Sequence, residues 1–167
     1  MKNIYRSAIL IAIALTGCAG SKLPSSQPAN DVSQAQIDAV QQKIATCISD
    51  VNKTEDAKYV DEHIMVLTPN SPNAKELFNS SDKITNDQAV VLKRFKESTL
   101  RCRGIANELP TPALVGIYTN FYEKIDAVYT DLIDKRITIG VANQERAMRI
   151  QYARSRWVEI LKTQKGT

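Results

Sequence analysis

From residue 37 onward, apolar side chains recur every three or four positions, the interval that places them on one face of a helix. Ile37, Val40, Ile44, Cys47 and Val51 form the first such seam. Ser33 and Gln36 make a capping-box pair ahead of it, with Val32 and Ile37 at hydrophobic-staple positions, so a helix is expected to begin at Ser33. A second seam, Leu92, Phe95, Thr99, Cys102, Ala106 and Leu109, follows a capping box of Thr85 and Gln88 and should run to about Glu108, where Leu109-Pro110 stops it. The third helix opens with Thr111 as cap and Pro112 at its first position. Its stripe of Leu114, Tyr118, Phe121, Ile125, Val128 and Leu132, flanked by Tyr122, Tyr129 and Ile133, is wide enough to meet more than one neighbour. A fourth helix, capped by Thr138, is expected to bury Ala147, Ile150, Ala153, Trp157, Ile160 and Leu161, with Trp157 in the core.

Residues 54–84 are less regular. Thr54 caps one short helix, and a second is expected with Ser71 as cap and Pro72 at its first position. Strand signals are weak and no long repeat is visible, so the pattern predicts an all-α fold. Its economical form is a four-helix up-down bundle with short extra helices between the first two main helices. Cys47 and Cys102 both fall late in their helices. A bridge between them requires an axial offset if the two helices are antiparallel, or a crossover through 54–84 if they are parallel.

The N-terminal pattern is of another kind. Lys2 and Arg6 precede an apolar run, Ala8 to Leu15, far shorter than the roughly 20 residues of a spanning helix. Leu15-Thr16-Gly17-Cys18 then resembles the lipobox of bacterial lipoprotein precursors. The resemblance implies a signal peptide over residues 1–17 and a mature chain beginning at Cys18, with diacylglycerol on the sulfur and an acyl chain on the amine. Each buried CH₂ contributes about 0.8 kcal/mol, so several chains anchor firmly where one binds reversibly. Ala19 stands where an Asp would retain such a protein at the inner membrane, which implies the outer membrane, facing the periplasm. Residues 18–30 are rich in Ser, Pro, Ala and Gly and read as the lipidated cysteine and a flexible tether; residues 31–167 read as one helical domain.

Composition changes this picture in two places. Cleavage before Cys18 removes Lys2 and Arg6, lowering the net charge from +4 to +2 over 150 residues, which gives no case for nucleic acid. The chain has three cysteines, an odd count for an exported protein, and lipidation of Cys18 accounts for the odd one. Cys47 and Cys102 are then free to pair in an oxidising compartment; two reduced core cysteines are the alternative.

Candidate chemistry is sparse. His63 is the only histidine, and Asp61 and Glu62 beside it do not share its helix face, so no metal site is expected. His63 and Met65 are too close in sequence to be haem ligands from separate helices, and no cofactor is expected. Carboxylates such as Glu62 and Glu123 lack the spacing of a catalytic pair. Tyr118, Tyr122 and Tyr129 are candidates for a ligand or partner surface, each an apolar ring with a polar tip, against core packing as the alternative. Arg146 joins them because its helical angle falls within the apolar stripe, where it would snorkel or pair with Asp126 or Asp131. Arg149 and Arg156 share a face with Glu145 and Glu159 and read as solvated. The expected function is therefore non-enzymatic: a membrane-anchored envelope protein binding another protein or an envelope component, with a carrier of a small apolar ligand in the bundle interior as the alternative.

Overall fold

The structure, a computed structural model, describes the backbone of residues 29–165 and the side chains of residues 34–163. The lipobox at residues 15–18 and the tether up to residue 28 lie outside the described residues. Six helices follow in order: α1 Ala29–Asn52, α2 Glu55–His63, α3 Ala74–Asn79, α4 Asn86–Arg103, α5 Pro112–Ile133 and α6 Ile139–Lys165, with a 3-10 turn, Gly104–Glu108, prolonging α4. No strand occurs among the described residues, and the fold is all-α. None of these helices is long and apolar enough to cross a membrane.

The local signals act mostly where the pattern places them. Thr85 and Gln88 close their reciprocal capping box, and Thr111 caps α5 with Pro112 in its first turn. Two expected starts move. α1 begins at Ala29, taking two residues from the expected tether and leaving Ser33 inside the helix. α3 begins after Asn73, because Ser71 turns back and donates to the Asp61 carbonyl at 2.8 Å instead of capping a helix.

Thr54 both ends α1 and starts α2. Its hydroxyl donates to the Val51 carbonyl (2.8 Å) and accepts from the Ala57 amide (3.3 Å), so one side chain satisfies two helix-end groups. α1 and α2 together make one bent rod lying against α4 and its 3-10 extension. Gln36 and Lys43 reach Glu108, Cys47 is bridged to Cys102, Asp56 holds Arg94 through two hydrogen bonds, and Gln88 reaches the His63 carbonyl. Rising numbers on one rod meet falling numbers on the other, so the rods are antiparallel. α2 carries the first rod on past Cys47, and this supplies the axial offset that two late cysteines require.

The Cys47–Cys102 disulfide, with Cα atoms 5.7 Å apart, lies where two apolar clusters adjoin. One centres on Val60, Ile64, Met65, Leu92, Val128 and Leu132; the other joins Ile37, Val40 and Ile44 to Leu109 and Leu114, and Ile48 packs against both. α5 returns along α4, with Arg103 paired to Asp126 and Lys135 donating to Asn86. Lys135 adopts a left-handed conformation (φ 59°) as α5 ends, and α6 turns back along α5.

The first turns of α6 are stitched to the 64–82 connection. The Ile139 amide donates to the Asp82 carbonyl (2.9 Å) and the Gly140 amide to the Ser80 carbonyl (3.0 Å). A Cβ at Gly140 would sit 2.5 Å from that Ser80 oxygen, so only glycine permits this approach. Asn143, 2% exposed, accepts from the Val66 amide (2.8 Å) and donates to the carbonyls of Ile64 (3.0 Å) and Ile139 (2.9 Å). Asp61 holds the same connection from the other side, accepting from the amides of Leu67 and Thr68.

Because the disulfide joins residues 55 apart in sequence, it removes much of the unfolded chain's freedom. Cys47→Ala is expected to lower stability by about 2–4 kcal/mol, read from the denaturant midpoint under non-reducing conditions, with unchanged helical circular dichroism. An unchanged midpoint would show that the bridge contributes nothing.

Candidate functional site

Past Asn143, α6 loses its cover. Ala147, Ile150, Ala153, Trp157, Ile160 and Leu161, expected in the core, are all half-buried; among the described side chains of α6 the buried ones are Ile139, Gly140, Ala142 and Asn143 in its first turns. The reason lies in the packing order. α6 packs closely on α3 at its start and on α5 along its length, whereas α1 and α6 are not among the closely packed pairs. Side chains bridge the gap, with Trp157, Ile160 and Leu161 reaching toward the Ile37, Val40 and Ile44 cluster.

A surface groove of about 430 Å³ results, walled by Gln41 of α1, Ile117, Tyr118 and Phe121 of α5, and Ile150, Ala153, Trp157 and Val158 of α6. Tyr118 meets Trp157 edge to face, with ring centroids 5.7 Å apart, a favoured aromatic geometry. Burial raises the Tyr118 phenol, and a hydrogen bond with Gln41 opposes that shift. Val158 at the rim is 49% exposed. Arg154 is the only charged side chain of the lining.

A second cleft of about 320 Å³ lies on the opposite side of the α5–α6 contact. Ile117, Phe121 and Ala153 are common to both walls. Here α5 contributes Ala113, Gly116, Asn120 and Lys124, and α6 contributes Arg149, Tyr152, Arg156 and Ile160. Three cations line this cleft and no carboxylate does. Arg149 is 3.9 Å from Glu145 and Arg156 is paired with Glu159, while Lys124 makes no ion pair among the described residues.

Of the four residues singled out from sequence, Tyr118 and Tyr122 stand together, ring centroids 6.1 Å apart, while Tyr129 and Arg146 are placed elsewhere. Tyr118 lines the apolar groove. Tyr122 lies under the Arg103 guanidinium, 5.0 Å from the ring centre, and burial pushes its phenol up to about 12. Tyr129 is buried edge-on to Phe95, a core residue. Arg146 donates to the Val66 carbonyl (2.7 Å) and so clamps the 64–82 connection; Asp126 and Asp131, its expected partners, are taken by Arg103 and Arg136. Gly116, Ile117 and Lys124 went unmarked, although a glycine within so regular a helix is a signal, since it costs about 1 kcal/mol against alanine.

Among the described residues no group of three His, Cys, Asp or Glu side chains is placed to hold a metal ion. His63 is half-exposed, stacked at a tilt on Tyr59 and 3.8 Å from Glu62. The chain matches no family model, no curated protein and no solved structure.

The least exposed ion pair among the described residues is Arg103–Asp126. The Arg103 hydrogen bonds hold the Asp126 carboxyl below the usual carboxylate range, against the opposing effect of burial. A depressed carboxyl contributes stability above its unfolded-state value and loses it as pH falls through the folded one. Asp126→Asn is therefore expected to cost about 1 kcal/mol at neutral pH, a figure reduced by the pair's partial exposure. Denaturation across an acid series should show the difference from wild type shrinking below pH 3.8, the ordinary value of this group. A pH-independent difference would assign the loss to packing instead.

Proposed function

We propose that the protein is a lipid-anchored component of a bacterial cell envelope, held through Cys18 at the outer membrane and facing the periplasm. Its helical domain works without catalysis, binding a protein or envelope partner. Support for the anchor comes from the sequence, where a positive start, a short apolar run and Leu15-Thr16-Gly17-Cys18 coincide. The oxidising compartment fits the Cys47–Cys102 bridge.

Support for partner binding rests on one observation: the apolar groove beside Trp157. It joins an aromatic pair to exposed Val158 in an open concavity, the kind of anchor pocket that supplies most of the energy in a protein interface. The carrier reading receives less support, since the interior is filled by residues such as Leu92, Leu114 and Leu132, which are 0% exposed.

Both halves are tested in cells. Metabolic labelling with a fatty-acid analogue should mark the wild type and not Cys18→Ala; equal labelling would contradict the anchor. A photo-crosslinking residue at Val158 in the anchored protein should give one discrete adduct, absent when the same residue replaces Leu100, which is exposed on α4 away from the groove. Identical adducts from both positions would contradict the groove as the partner site.

A further inference from the structure

The second cleft combines features that the fold itself does not require. Gly116 sits within α5, where glycine is the poorest helix former after proline. A Cβ there would meet no atom within 4 Å, so packing within the protein gives no reason for its absence. Gly116 is itself exposed, and the missing side chain leaves the α5 side of the cleft open. Around it, Ile117, Phe121, Ala153 and Ile160 make an apolar wall, and Lys124, Arg149 and Arg156 line the same space without a carboxylate among them.

The antiparallel course of α5 and α6 orders these groups along the cleft. Tyr118 against Trp157 sets the register, which places Lys124 near Arg149 at one end and Ala113 near Ile160 at the other. Each helix runs eleven residues between those ends, about 16 Å at ~1.5 Å per residue. The cleft is therefore a trough with Lys124 and Arg149 at one end, Ala113 and Ile160 at the other, and Arg156 one helical turn from Ile160. A small inorganic anion would leave the apolar wall facing water, and a neutral hydrocarbon would leave the cations unused.

We propose that this trough binds a long-chain fatty carboxylate, its headgroup between Lys124 and Arg149 and its chain over Gly116 toward Ala113 and Ile160. A planar guanidinium matches a carboxylate with two parallel hydrogen bonds, and the Lys124 ammonium adds a point charge. Arg156, one turn from Ile160 on the rim and already paired with Glu159, covers the chain with its aliphatic stem. The site lies on the other flank of the α5–α6 contact from the groove beside Trp157, with Ile117, Phe121 and Ala153 between the two, and does not depend on acylation of Cys18.

Calorimetric titration of dodecanoate, below its micelle-forming concentration, into the Cys18→Ser chain tests the assignment, because that chain carries no lipid of its own to compete. Saturable one-to-one binding is expected, roughly tenfold tighter than that of dodecyltrimethylammonium, which has the same tail and the opposite charge. Gly116→Leu adds a side chain in open space, so circular dichroism and melting temperature should hold while dodecanoate affinity falls by about tenfold or more. The surface variant Lys124→Gln with Arg149→Gln should weaken dodecanoate similarly and bring the two headgroups level. Absence of saturable dodecanoate binding, equal affinity for both headgroups in the parent chain, or full binding by a folded Gly116→Leu chain would each overturn the proposal.

Discussion

The approach of Gly140 to the Ser80 carbonyl fixes where α6 starts, and both clefts depend on the direction it then takes. At that point two backbones lie too close for any side chain to intervene, and Asn143 beneath completes the hydrogen bonding of the 64–66 backbone. An unmet buried polar group costs about 1–3 kcal/mol, so Asn143 holds this corner in one arrangement. Arg146 adds a further bond to the same connection from the next turn. Beyond it, α6 has a single close neighbour, α5, and its apolar stripe is only half covered. A groove on one flank and a trough on the other follow from one helix that is tightly held at its start and supported on one side afterwards.

Much of the fold was legible in the pattern of residues. The helical seams, the Thr85/Gln88 capping box, the Thr54 and Thr111 caps and the pairing of Cys47 with Cys102 all follow from spacing and local hydrogen-bond chemistry. What the pattern left open was how the rods are phased. The offset of the two cysteines is resolved by Thr54, whose hydroxyl bends the first rod and sends α2 on along α4, a tertiary outcome of a local cap. Ser71 carries the same capping signal as Thr54 and Thr85 without acting as a helix cap. For Ser71 the reason is a competing long-range acceptor, the Asp61 carbonyl.

The candidate site was less legible, and α6 shows why. Periodicity reports which face of a helix is apolar; it does not report whether a second neighbour arrives to cover that face. Trp157 therefore reads as core from its spacing yet stands half-buried in a groove wall, because α1 stays apart from α6. The tyrosines of α5 divide for a similar reason. Tyr129 points toward α4 and is buried, Tyr122 meets Arg103, and Tyr118 alone reaches the groove. Arg149 and Arg156 read as solvated because Glu145 and Glu159 are their helical neighbours; their convergence with Lys124 arises only when α5 is placed beside them.

The central claim is mechanical: α6 is held firmly through its first two turns and only partly covered beyond Arg146. Residue-resolved amide hydrogen exchange measures this directly, since protection tracks how far each segment must open from the packed structure. Amides from Asn143 to Ala147, beyond the helix's first orphan N–H groups, should exchange as slowly as the buried turns of α4, with protection falling steadily from Ala153 toward Leu161. Uniformly high protection along the whole of α6 would contradict the account, because it would mean that its second half is covered by a neighbour and that neither cleft is open.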